Sequence, residues 1–256
     1  MRRVPAVQPA FVLHHYDWSE SSLILDLFTR EQGRLAVVAK GAKRPYSQLR
    51  AVLLPFQRIQ VGLSKPGKTA EEGAPEVLTL RTAEWAGGNT LPAGAALFSG
   101  YYLNELLLKL LARQDPHPRL FDAYAATLPE LHASEDAQSQ AALRAFELRM
   151  LSELGLLPDL SVATLTQQPL EAERRYALSP ESGVIAASDD SALLLGASLV
   201  QLQAALLHGS AGALQQACMN DQAALKTVLR GLLLYHLGHR PLRTRQVMLD
   251  VQKLLD

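Results

Sequence analysis

FVLHHYDWSESSLILDLFTREQGRLAVVAKGAKR, residues Phe11 to Arg44, decides the fold. It divides into three apolar runs separated by turn signals. Phe11 to Tyr16 predicts a first strand, closed by Asp17-Trp18-Ser19-Glu20. Ser22 to Thr29 predicts a second, with Leu23, Leu25 and Leu27 on one parity and hence on one face. Arg34 to Lys40 predicts a third, rich in Val and Leu. The link Arg30-Glu31-Gln32-Gly33 ends in glycine, which supplies the positive φ that a short hairpin loop needs. The apolar pattern then stops, and Lys40, Lys43 and Arg44 follow on a glycine-containing loop. Three antiparallel strands handing over to a basic loop describe a small barrel that presents a polyanion site.

The pattern continues outward from there. Gly41 to Leu54 reads as a polar, basic connection. Pro55 to Leu63 predicts a fourth strand and Glu76 to Glu84 a fifth. Five short strands in roughly eighty residues, with a long loop between the third and fourth, predict a closed barrel of the OB type. After Trp85 the period changes, and Gly87, Gly88 and Pro92 break the strand pattern. Helical spacing predicts helices over Ala95–Ala112, Leu120–Leu131 and Asp136–Leu154, the last closed by Gly155. Residues 156–190 hold three prolines and a hairpin-like pair, 175–178 with 183–186, and read as an insertion in a helical domain. Helices resume near Ala197–Leu207 and Gln222–Leu237, with Asp221 as expected N-cap, and Thr244 is expected to cap a last helix through Leu255. The fold class is thus α+β: residues 1–86 form a five-stranded OB barrel, and 87–256 form a mainly helical domain carrying the insertion.

Composition bounds the chemistry. The 256 residues carry 25 basic and 25 acidic side chains, so net charge points to no partner. Its distribution does. Between residues 30 and 68 lie nine basic residues (Arg30, Arg34, Lys40, Lys43, Arg44, Arg50, Arg58, Lys65 and Lys68) and a single acid, Glu31. A positive face on a neutral protein follows. Cys218 is the only cysteine, which excludes an intrachain disulfide and a thiolate zinc site and suits a reducing cytoplasm. No signal peptide or membrane-length apolar run is visible.

Several segments together resemble the bacterial RecO family, recombination mediators of DNA repair. They are Ala10 to Leu13, Trp18-Ser19-Glu20, Leu25 to Thr29, Gly33-Arg34 and Lys40 to Arg44 at the start. Ser99-Gly100-Tyr101-Tyr102-Leu103-Asn104-Glu105, Leu143 to Glu147, Leu154-Gly155, Gly183-Val184-Ile185 and Arg240 to Arg245 follow downstream. The resemblance implies binding of single- and double-stranded DNA, annealing of complementary strands, and cooperation with RecR in loading RecA onto strands coated by single-stranded-DNA-binding protein. It also implies a partner in the acidic tail of that coating protein, and a cytoplasmic location, at the nucleoid during repair. Some members carry a four-cysteine zinc site in the middle insertion. This chain has no cysteine there, so its insertion is expected to be zinc-free and held by packing.

Four constellations carry the candidate chemistry. Gly62-Leu63-Ser64-Lys65-Pro66-Gly67-Lys68-Thr69 fits the spacing of a nucleotide-binding P-loop. Such a loop must open a helix, and Ala70-Glu71-Glu72-Gly73-Ala74-Pro75 is too short and broken to supply one. A basic hairpin tip is the plainer reading, and its Lys65 and Lys68 can still meet DNA phosphates. Lys40, Lys43, Arg44 and Arg50, with Arg30 and Arg34 nearby, form the second: cations on a barrel rim neutralise phosphates without reading sequence. Tyr46 among them offers either a face for base stacking or a rim-packing ring. His14-His15 is the third. Adjacent strand residues point to opposite faces, so one is expected inward and one outward, and they do not chelate one metal. Fourth, Arg144, Arg149, Arg243 and Arg245 flank apolar helical stripes and suggest a groove for an acidic peptide. No catalytic residue, metal or cofactor is assigned. The reading is a non-enzymatic DNA-binding recombination mediator. A P-loop NTPase using Gly62–Thr69 and a protein adaptor that ignores naked DNA stand as alternatives.

Overall fold

The structure, a computed structural model, describes residues 7–64, 77–87, 91–132, 136–187 and 193–255. In chain order the elements are β1 (Val7–Asp17), β2 (Leu23–Thr29), β3 (Gly33–Ala39), α1 (Leu49–Val52), β4 (Arg58–Ser64) and β5 (Leu78–Trp85). The helices α2 (Ala95–Leu110), α3 (Pro118–Glu130) and α4 (Asp136–Glu153) come next. The short strands β6 (Arg175–Ser179), β7 (Gly183–Ala186) and β8 (Leu194–Leu195) precede α5 (Gly196–His208), α6 (Ala211–Ala217), α7 (Gln222–His236) and α8 (Arg243–Leu255). Two compact units result: Met1–Ala125 with Leu242–Asp256, and Ala126–Pro241.

The first unit is built on a closed barrel in the order β1-β2-β3-β5-β4, followed by helices. This is the OB barrel and helical sequence that the strand pattern predicts. Alternation sorts the side chains. Leu25, Leu27, Leu35, Val37, Ile59 and Val61 point into the barrel and are fully or nearly fully buried. The opposite parity of β1 and β2 sends Phe11 and Phe28 outward, where they meet Phe121 and Tyr124 of α3 at ring-centroid distances of 4.9 to 6.3 Å.

A bulge between Val12 and His14 breaks the β1–β2 register. The displaced Leu13 carbonyl accepts a hydrogen bond from Asn104 Nδ2 of α2 (2.9 Å), and the Tyr124 hydroxyl donates to Asn104 Oδ1. A bulge thereby becomes the anchor of a helix. It also changes the expectation for the histidines. Beyond Val12, β1 has left β4 and pairs with β2 alone, and both His14 and His15 are exposed rather than one being inward.

The connection expected to be merely polar does more. It contains the single turn of α1 and buries Ala42 and Leu53, and because β4 starts at Arg58 rather than Pro55, the buried Phe56 precedes the strand instead of belonging to it. Gly100 makes room for Phe56: a Cβ there would lie 2.8 Å from the Phe56 ring, which also packs edge-on against Tyr101.

The second unit surrounds α4. Its residues Ala141 to Leu151 are all buried, because α5, α6 and α7 each pack on it. A helix buried on every side is a central helix, and this one takes Arg144, Glu147 and Arg149 into the interior with it. Gly155 closes it at φ +68°, with the Leu156 amide returning to the Leu151 carbonyl (2.8 Å), as the sequence predicts. The insertion is a three-stranded sheet ordered β7-β6-β8. Thr164 Oγ1 accepts from the Val184 amide (2.8 Å), the Tyr176 hydroxyl accepts from the Glu171 amide (3.0 Å), and Tyr176, Leu178, Val184 and Leu194 form its buried face. Helix α6 falls where the sequence shows only Ser210 as a start signal; that side chain accepts from the Ala213 amide.

Two expected caps differ. Asp221 precedes α7, but its carboxylate accepts from the Ser198 hydroxyl (2.7 Å) instead of capping. Thr244 lies inside the first turn of α8 and donates, with its amide and its hydroxyl, to Glu105 of α2.

Candidate nucleic-acid interface

The rim of the barrel where β1 meets β2 and β3 runs into α1 carries the largest share of the predicted cations. Ala42, 1% exposed, plugs into the barrel core. With that residue fixed inward, its neighbours must point out. Lys40, Arg44, Tyr46 and Arg50 are all exposed, and Tyr46 is 99% exposed. Within the loop, the Arg44 amide returns to the Gly41 carbonyl, Ser47 to Arg44, and Arg50 to Ser47, so the cations stand on a hydrogen-bonded turn series.

Lys43 has a different task. Its amide donates to the Ser21 carbonyl (3.0 Å), and its ammonium group donates to the Ser19 carbonyl and pairs with Asp17, both at 3.1 Å. It clips the basic loop to the β1–β2 turn. Arg30 is held by both oxygens of Asp122 on α3, at 3.0 and 2.9 Å. This planar, two-point pairing fixes a guanidinium tightly. Arg34 lies half-buried on the outer face of β3 and donates to the Leu108 carbonyl near the end of α2. Burial pulls its guanidinium below its ordinary value, with the neighbouring Asp26 opposing and Arg113 adding to the fall. Arg113 itself reaches the buried Asp26 at 3.8 Å. Lys65 and Lys68 lie outside the described residues, as does most of Gly62–Thr69. Gly62, Leu63 and Ser64 end β4, which pairs antiparallel with both β1 and β5.

The structure therefore brings Lys40, Lys43, Arg44, Tyr46 and Arg50 into one loop, and it binds Arg30 and Arg34 into the packing of the barrel against its helices. It also adds Trp18, 64% exposed in the turn that Lys43 clips. The sequence reading passed over it as a turn residue, although an aromatic between Asp17 and Ser19 at a strand end was the signal that could have singled it out.

The four arginines of the second candidate site divide between the units. Arg144 and Arg149 are buried in α4. Arg144 pairs with the fully buried Glu147 at 2.8 Å, and Arg149 donates to the Leu206 carbonyl at 3.2 Å. Arg243 and Arg245 are exposed on α8 in the other unit, alongside the half-exposed Val247 and Met248. Among the described residues no cluster of three His, Cys, Asp or Glu side chains is arranged to hold a metal, and no helix is long and apolar enough to cross a membrane.

Comparison with known sequences agrees along nearly the whole chain. Residues 1–71 match the family model for the N terminus of recombination protein O, and residues 92–246 match the model for its C terminus. The chain is 52% identical to the DNA repair protein RecO of Variovorax paradoxus (strain S110), over 96% of both chains. It is likewise 52% identical to that of Polaromonas naphthalenivorans (strain CJ2), over 96% of this chain and 97% of the relative. With the protein of the same name from Acidovorax ebreus (strain TPSY) it shares 50% over 99% of both.

Proposed function

The chain belongs to the RecO family of DNA repair proteins, and on that premise we propose that it serves recombinational repair by holding DNA on the Lys40–Arg50 rim of its barrel. The observation that carries this reading is the contrast among neighbouring cations. Arg30, Arg34 and Lys43 are engaged by protein partners, whereas Lys40, Arg44 and Arg50 stand exposed around the bare ring of Tyr46. Phosphate contacts of this kind do not distinguish sequence, and they act on single strands and duplexes alike. They also reduce the repulsion between two strands, which favours annealing without nucleotide hydrolysis. Lys65 and Lys68 extend the same charge series along the sequence.

Family membership supports the wider scheme, in which the protein works with RecR to let RecA displace single-stranded-DNA-binding protein. The acidic tail of the coating protein is the proposed ligand of the helical region. Arg243 and Arg245 are its exposed cations on α8; Arg144 and Arg149 serve the interior of α4.

The reading is tested by fluorescence anisotropy with labelled oligo(dT) at several salt concentrations, with and without ATP and Mg²⁺. Binding that weakens steeply with salt and ignores nucleotide supports it. Binding that requires ATP favours the P-loop alternative, and no binding at low salt favours an adaptor that reaches DNA only through partners.

A further inference from the structure

Trp18 is large, apolar and 64% exposed, at the tip of a tight turn. The turn is well made: the Trp18 and Ser19 amides both return to the Ser22 carbonyl, and Ser19 Oγ accepts from the Ser22 amide (3.2 Å). Nothing in that turn needs an indole. A rigid turn presenting an unneeded aromatic to water indicates a contact made with something else.

Three features identify that contact. Lys43 fastens the turn to the loop bearing Lys40, Arg44 and Tyr46, so the indole and the exposed cations belong to one rim. The ring is flanked in sequence by Asp17 and, two residues on, by Glu20, both exposed. Lys43 neutralises Asp17, so Glu20 is the carboxylate that repels phosphates here, and a strand whose backbone follows the basic loop turns its bases, not its backbone, toward Trp18. Finally, the face of a base is open for stacking only when the base is unpaired and unstacked.

We infer that Trp18 stacks on unpaired bases and makes this rim distinguish single strands from duplexes. The inference rests on the proposed DNA-binding reading and adds the specificity to it. Stacking on a base face leaves the Watson–Crick edge free to find a complement. Once pairing is complete, the bases stack on one another and leave the indole, so the duplex product keeps only phosphate contacts. Strand joining and product release then follow from the same geometry.

The experiment compares oligo(dT) and a duplex of equal length as ligands of the full-length protein, its Trp18→Ala variant and its Trp18→Phe variant, each with a thermal melt to verify the fold. Trp18→Ala is expected to weaken oligo(dT) binding about tenfold, to leave duplex binding within about twofold, and to be largely rescued by Trp18→Phe. Since Trp85 is the only other tryptophan, the Trp85→Phe protein reports Trp18 alone, and oligo(dT) is expected to quench its fluorescence. Unchanged oligo(dT) affinity in Trp18→Ala, or an equal loss for both ligands, overturns the inference while leaving DNA binding by the rim intact. Absence of DNA binding by the unsubstituted protein overturns both.

Discussion

Gly33 meets two demands at once. Its φ is +68°, and a Cβ would fall 1.9 Å from the Asp115 carbonyl oxygen. That close approach exists because the segment after α2 runs beside β3, with the Gln114 amide donating to the Arg34 carbonyl (2.9 Å). Gly33→Ala combines a strained backbone with a clash against main chain, and it should cost on the order of 2 kcal/mol or more in chemical denaturation. Asn104→Ala should cost ~1–3 kcal/mol by leaving the buried Leu13 carbonyl without its donor. Cys218 is buried, and burial, reinforced by the Glu147 carboxylate and opposed by Arg144, pushes its thiol up to about 12. It should stay unlabelled by a thiol reagent in the native protein at pH 8 and react on unfolding. The need for glycine at position 33 was legible as a turn signal. The Asp115 contact was not, because its partner lies some eighty residues away. The same distance problem affects charge: Arg30 looks free in the sequence, yet Asp122 holds it.

At the scale of elements, α8 shows how a helix start can be supplied from elsewhere. The first turn of a helix exposes N–H groups with no partner inside it. Here Glu105 of α2 accepts the Arg243 and Thr244 amides at 2.9 Å each, and the Thr244 hydroxyl at 2.8 Å. Burial raises the Glu105 pKa, but these donors and Lys109 outweigh it, and the carboxyl titrates below its ordinary value of 4.5. A depressed carboxyl stabilises the fold above its unfolded pKa. The stabilisation is therefore complete at neutral pH and is lost as the pH falls below 4.5 through the folded value. Hydrogen exchange of the Arg243 and Thr244 amides should accelerate over that window, and Glu105→Gln should remove the pH dependence. Sequence reading placed the helix correctly but chose Thr244 as its cap, because a local signal was the only one available. The strands were more legible than the caps: period-two alternation depends on neighbours in sequence, whereas a carboxylate on another helix does not.

At the scale of the molecule, the barrel, the helices and the insertion hairpin were all readable from hydrophobic period and turn residues. The division of labour among the cations was not. Nine basic residues against one acid suggested a broad positive face. Folding leaves, in the described part of it, Lys40, Arg44 and Arg50 around Tyr46 and Arg58 at the start of β4 as exposed cations, with Lys43 as a clip. This sharpens the expectation for mutants. Lys43→Glu should disturb the rim itself, while Lys40→Glu and Arg44→Glu should change DNA affinity and leave the thermal melt unaltered.

The most direct test of the account is the salt dependence of oligo(dT) binding by the Lys40→Glu/Arg44→Glu double variant beside that of the unsubstituted protein. If these two side chains meet phosphates, the double variant binds more weakly and the slope of log affinity against log salt falls by about two. An unchanged slope and affinity in a correctly folded double variant would contradict the assignment of DNA binding to this rim.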